Sequence, residues 1–196
     1  MIGVIGAIAG DIIGSSYEGH KLKTRDYDFK LLTDRATITD DSVHTFAIMD
    51  WLLNTDRSIH ACKKSLIKWS NLYPRAGYGP MMIKWIAGAN NWQPYNSFGN
   101  GSAMRVGPVA WAANCLDHAE DLAIMSAIPT HNHSEGIKGA QAIAACIYLN
   151  RIGESKENIK EYIEIYESTQ YVGSQMTEKE MLLSAIQNAI DKRNRS

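Results

Sequence analysis

Thr39, Asp40, Asp41 and Ser42 set two adjacent carboxylates between two hydroxyls. Hard oxygen donors crowded in this way suit Mg2+, Mn2+ or Ca2+. The same letters also spell a helix start, with Thr39 as N-cap and two aspartates answering the helix dipole, and both readings stay open from the residues alone. Tyr17 and Glu18 close a glycine-rich segment. A carboxylate there can act as ligand or general acid/base, or can stand solvated at a helix end. The run from Ser97 to Arg105, with Phe98, Gly99, Asn100, Gly101, Ser102, Ala103 and Met104 between them, is more distinctive. Glycines on both sides of Asn100 predict unusual backbone angles just before a helix whose free N–H groups would face an anion. A phosphate or pyrophosphate fits that setting, with Phe98 as a flat surface for a base and Arg105 as a charge; an Asn-Gly turn between helices gives the same composition. In Thr130-His131-Asn132-His133-Ser134-Glu135 the two histidines lack a third or fourth ligand spaced to close a zinc site. An imidazole hydrogen-bonded to ligand or backbone suits His131 better.

Helices must position these groups. Apolar residues recur near a period of 3.6, which predicts helices over about 40–54, 58–72, 80–89, 103–116, 119–127, 136–151, 159–166 and 178–192. No β-rich run competes. Gly6, Gly10 and Gly14 fall four residues apart on one face of an N-terminal helix, a spacing that predicts close approach of a neighbouring helix. From Ala76 to Asn150 only seven of 75 residues are charged, so this stretch is expected to be buried or to line a site. Polar loops break it at 73–79, 90–101 and 129–135, where chemistry is expected.

Composition narrows the function classes. The 196 residues are 45% hydrophobic and 21% charged, with 20 Lys plus Arg against 21 Asp plus Glu. That balance excludes disorder and gives no reason to expect bulk nucleic-acid binding or an anionic membrane partner. The length suits a single domain over residues 1–196, with a core large enough to need no disulfide. Cys62, Cys115 and Cys146 are odd in number and widely spaced, which points to a reducing cytoplasm. The apolar start from Ile2 to Ser16 has no preceding basic residue and contains Asp11, so neither export nor a membrane span is expected.

Four blocks in order resemble the ADP-ribosylglycohydrolase family, which includes dinitrogenase reductase-activating and ADP-ribosylarginine or ADP-ribosylserine hydrolases. They are Gly6 to Glu18, Thr39-Asp40-Asp41-Ser42, Gly99 to Arg105, and Thr130-His131 followed by Gly136 to Ala142. The blocks cover about residues 1 to 150, and Ser42 stands where the family usually has Thr. The resemblance implies a compact all-α, multi-helix domain and a binuclear Mg2+ or Mn2+ centre in a cleft. By the same resemblance Thr39, Asp40 and Asp41 are metal ligands, Glu18 and Asp41 are catalytic, Gly99 to Met104 hold the ADP-ribose phosphates and ribose with Phe98 beside them, and His131 contacts the diphosphate side. The implied reaction is hydrolysis at C1″ of the distal ribose, and the implied partners are ADP-ribose or ADP-ribosylated protein.

A further family block, Asp-x-Asp-Thr, does not follow the Thr-His block here, and relative to that pattern the domain reads as C-terminally shortened. Asp191 lacks a partner carboxylate two positions away, while Asp26 and Asp28 precede Asp40 in a basic segment. Thr39, Asp40 and Asp41, with Glu18 nearby, supply enough donors for one ion or none rather than a bridged pair. Three expectations follow: reduced activity, completion by another chain or self-association, or ADP-ribose recognition without hydrolysis. Neither the scissile linkage nor the choice between Mg2+ and Mn2+ is encoded in these motifs.

Overall fold

A computed structural model describes residues 2–18 and 29–169. The described residues form helices and turns, with no strand among them. Asp26, Asp28, Asp191 and the helix expected over 178–192 lie outside the described residues.

Helix α1 (Ile2–Ser15) carries Asp11 as its one charged residue. It packs on α2 (Asp40–Asn54), the central element. Thr39 has extended backbone and caps α2 by accepting from the Asp41 N–H, and Asp40 and Asp41 fill the first turn. Val43, Ala47, Ile48 and Trp51 are fully buried, a spacing that marks one helical face turned to the core. The Trp51 indole satisfies its N–H on the Ser58 carbonyl at 2.9 Å, and Ser58 in turn caps α3 (Ile59–Leu72). That contact helps set the turn between α2 and α3, together with the Arg57 side chain, which donates to the Leu52 carbonyl at 3.0 Å.

Pro80 opens α4 (Pro80–Ile86) at a position where its missing N–H costs nothing, and Met82 and Trp85 are driven into the core. The segment expected to be helical from 103 to 116 divides differently. Residues 99–105 form turns, and helix begins only at α5 (Gly107–Ala112), with Pro108 in its first turn. Apolar content had hidden this break, because Val106, Val109 and Ala110 are buried in either conformation. After Ala113 to Cys115 the chain enters α6 (Leu116–Ala127).

Helices α6 and α7 (Ser134–Ile152) pack along each other with small side chains between them. Ala119, Ala123, Ala127, Ala140 and Ala144 are all fully buried, which permits close axes. Gly153 ends α7 in the left-handed region at φ 89°, with the Glu154 N–H returning to the Leu149 carbonyl at 3.0 Å. Helix α8 (Lys156–Thr169) follows, docked through buried Tyr162, whose hydroxyl donates to Glu120.

Among the described residues nothing packs closely on the glycine face of α1, although its spacing suggested such an approach. A Cβ at Gly6, Gly10 or Gly14 would meet nothing within 4 Å among the described residues, and Ile5 on the same helix is 64% exposed. Close approach occurs instead at Gly3, where the Trp111 indole lies in the space a Cβ would take. No described helix is long and apolar enough to cross a membrane.

Candidate functional site

The site begins with Asp11. Its Oδ2 accepts from the Thr39 N–H at 2.8 Å, from the Ser42 N–H at 3.2 Å and from the Ser42 hydroxyl; its Oδ1 accepts from the Thr39 hydroxyl at 2.6 Å. One carboxylate on α1 therefore holds the whole N-terminal turn of α2. No role for Asp11 was read from the sequence, although a lone charge within an apolar helix was the signal that could have found it.

This clamp gathers acids. Thr39 also stands 3.2 Å from Asp41 Oδ2, so its hydroxyl is shared between Asp11 and Asp41. The Asp40 carboxyl is pushed up to about 6, first by burial and then by the neighbouring charge of Asp41, with Glu18 and Asp11 adding to it. Asp41 is raised mainly by burial, and the Thr39 bond works against that rise. Glu18 is exposed at the end of α1, and its carboxyl is raised by partial burial, then by Asp41 and Asp11. Four acids thus act on one another electrostatically. Among the described residues no group of three or more His, Cys, Asp or Glu is arranged to hold a metal ion by itself.

A cavity of about 240 Å³ starts at this acidic corner. Asp40 and His44 of α2 line one side, four residues apart on the same helix face, while Pro80 and Met82 of α4 form another. Tyr95, Gly99, Asn100, Gly101, Met104, Arg105 and His131 complete the wall. Of the residues chosen from sequence, the structure brings Asp40, Gly99, Asn100, Gly101, Met104 and His131 to one space. His44 and Tyr95 were not chosen; the spacing of His44 from Asp40 was the available signal for the first.

The remaining candidates lie around that space. Phe98 is 74% exposed and tilts against the His133 ring at 5.4 Å, outside the cavity wall. Ser102 is buried, its hydroxyl donating to the Gly136 carbonyl at 2.6 Å. Ala103 is half-buried near Gly139. Thr39 and Asp41 stand behind Asp40 in the α1 clamp. Arg105 offers no exposed charge, because it is fully buried and donates to the Ser126 carbonyl and the Thr130 hydroxyl.

The glycine turn departs from expectation in an informative way. Neither Gly99 nor Gly101 adopts positive φ. Gly101 is needed for proximity, since a Cβ there would come within 2.9 Å of His131 Nε2. Likewise a Cβ on Gly136 would stand 2.6 Å from the Ser97 carbonyl oxygen. The Met104 N–H returns to the Asn100 carbonyl at 2.9 Å, and the N–H groups of Gly101, Ser102 and Ala103 precede that bond with no partner among the described residues. Such a turn offers donors to an anion without a long helix behind it.

The ADP-ribosylglycohydrolase profile matches residues 2–195. The chain belongs to that family. ADP-ribosylhydrolase ARH3 of Xenopus tropicalis is 26% identical over 174 residues, covering 77% of this chain and 50% of that relative. The chain therefore spans about half the length of the curated relative it matches. The family match also runs past the motif blocks, which end near residue 150, into the charged C-terminal stretch.

Two outcomes follow for this ADP-ribosylglycohydrolase family member. Asp11→Ala should lower unfolding free energy by roughly 2 kcal/mol, since charge-assisted bonds to Thr39 and Ser42 are lost together. Urea denaturation checks this, and a loss below about 0.5 kcal/mol would show that α1 does not secure α2. His131 is held down at about 3 by burial and then by Arg105, so the unfolded chain binds its proton first as pH falls from the unfolded value of 6.5. Its contribution to stability is complete above that value and is lost toward 3, with a limiting slope of about 1.4 kcal/mol per pH unit. Comparing wild type with His131→Gln across pH 7 to 4 cancels the opposing contribution of Asp40. The variant should show the shallower acid loss.

Proposed function

We propose that this protein is a metal-dependent hydrolase that removes ADP-ribose from modified protein side chains or related ADP-ribosyl compounds. The observation that carries this reading is the single cavity joining Asp40 to the Gly99–Gly101 turn and His131. Anion-accepting donors and an acidic corner then face one ligand from different sides. The family match and the relative named ADP-ribosylhydrolase support hydrolysis over recognition alone.

Thr39, Asp40 and Asp41 would hold Mg2+ or Mn2+, with Glu18 beside them. The donor set fits in kind: all are hard oxygens, and Asp40 is pushed up to about 6 by burial and by neighbouring acids, a setting that favours a cation. It also fits a cation that keeps several waters and needs only one or two carboxylates. When bound, the ion would orient ribose hydroxyls and make the attacking water more acidic.

The chain's own residues do the rest. The N–H groups of Gly101, Ser102 and Ala103 hold the phosphates, and the cavity wall from Tyr95 to Met104 orients the proximal ribose. Carboxylate charge at Asp40 and Asp41 stabilises an oxocarbenium-like distal ribose as the bond at C1″ breaks. A carboxyl raised above its ordinary value by burial, as at Asp41 and Glu18, can hold a proton for the departing side chain or take one from the attacking water. Water adds its oxygen to C1″, and its protons pass to the leaving group and solvent. Asp41 and Glu18 are the residues assigned to this exchange.

A second copy of the chain is the partner proposed for α1. Its open face carries Ile5, Gly6, Ala7, Ala9 and Gly10, all exposed and uncharged, so two copies can oppose without like-charge repulsion. Sedimentation should show a dimer at micromolar concentration, and a clean monomer would overturn this.

Hydrolysis is tested by release of ADP-ribose from modified arginine and serine peptides with Mg2+ or Mn2+. Wild type should release it, and Asp41→Ala should fall by about 100-fold or more. Equal background rates for both proteins would end the hydrolase reading, and ADP-ribose binding without release would replace it with recognition.

A further inference from the structure

At the cavity wall three side chains are bonded in series. Arg105 is fully buried and donates through Nη2 to the Ser126 carbonyl at 2.7 Å and to Thr130 Oγ1 at 2.9 Å. Thr130 is also fully buried, and its Oγ1 lies 2.7 Å from His131 Nδ1. His131 lines the cavity, with Nε2 against Gly101.

The direction of each bond follows from donor and acceptor chemistry. A guanidinium has only donors, so Thr130 Oγ1 must accept from Arg105. The Thr130 hydroxyl then has one proton to place, and His131 Nδ1 is its other partner. Were Nδ1 the donor, that hydroxyl proton would be buried without an acceptor, the arrangement native interiors avoid. Thr130 therefore donates to Nδ1. A neutral imidazole that accepts at Nδ1 carries its proton on Nε2.

We propose that Arg105 and Thr130 form a relay that fixes His131 as a neutral Nε2–H donor aimed into the cavity beside Gly101, selecting an acceptor oxygen on the ligand. The buried charge supports the neutral form, since burial and Arg105 together hold the imidazole at about 3. Arg105 acts on that donor through Thr130 and is a positioning residue. Its Nε and Nη1 have no partner among the described residues, so its whole recorded bonding is directed to the segment from Ser126 to Thr130. A donor in this state recognises phosphate or carbonyl oxygen and offers nothing to an amine. The ligand's identity as ADP-ribose rests on the function proposed above; the tautomer does not.

The test separates the two. Long-range 1H–15N correlation on the full chain without ligand should show His131 protonated at Nε2 in wild type. Thr130→Ser keeps the hydroxyl and should keep that signature, whereas Thr130→Val should give Nδ1–H or a mixture of tautomers. Titration with ADP-ribose should find Thr130→Ser within about twofold of wild type and Thr130→Val weaker by about tenfold, the scale of one lost oriented hydrogen bond. An Nδ1–H signature in wild type, or an unchanged Nε2–H signature in Thr130→Val, overturns the relay. If the tautomers behave as stated while no protein binds ADP-ribose, the relay stands and the ligand assignment falls.

Discussion

The grip of Asp11 on the first turn of α2 is the constraint from which the rest of the site follows. An apolar helix would ordinarily exclude a carboxylate; here its oxygens satisfy two backbone N–H groups and two hydroxyls from Thr39 and Ser42. Those N–H groups belong to the orphan set at a helix start, so one side chain both caps α2 and ties α1 to it. The consequence is chemical as well as mechanical. Because the turn is held by an acid, Asp40 and Asp41 are fixed beside a third negative charge, with Glu18 adding a fourth at the end of the same helix. Such crowding favours protonation or a cation. Structural need and acid chemistry therefore share one interaction.

The opposite wall answers with the reverse polarity but little free charge. Arg105 is buried and bonded to neutral oxygens, and no carboxylate is among its recorded partners. Its field holds His44 and His131 well below their ordinary values, after burial has done most of the work. The cavity thus has an acidic corner at α2 and a donor-rich, neutral wall at the glycine turn. On the proposed function, an anion would be met there by N–H groups, and repulsion from the carboxylates would confine it to that end. A near-neutral chain can bind a charged ligand in this manner without any basic surface.

How much of this was legible depended on whether a signal was local. Helix α2 was readable to the residue, because Thr39, Asp40 and Asp41 announce its start and the apolar spacing of Val43, Ala47 and Trp51 fixes its face. Break points within apolar sequence were not. Apart from Arg105, residues 103–106 are as apolar as the helix that follows, and only Pro108 hinted that helix begins later. Arg105 looked like a ligand contact for the same reason that it is buried: it is a single charge in a long uncharged stretch, and such a charge either faces a ligand or is enclosed. Composition cannot separate those cases. Three of the four motif blocks contribute residues from different elements, and only the folded packing brings Asp40, Gly101 and His131 to one cavity.

The glycines show why motif residues need contacts to be understood. Gly99 and Gly101 invited a conformational explanation, yet the positive φ values in this region fall at Asn96 and Asn90 to Trp92 instead. What Gly101 provides is the missing Cβ that lets His131 Nε2 come close, and Gly136 does the same for the carbonyl of Ser97. These two absences clamp the turn between the Thr130-His131 segment and the start of α7, while Ser102 ties it to the Gly136 carbonyl. The turn is therefore held by close contact on its inner side, while the N–H groups of Gly101, Ser102 and Ala103 have no partner among the described residues. Rigid backbone donors need no reorganisation when an anion arrives, and on the proposed function that preorganisation would let so short a turn serve where a basic cluster is otherwise required.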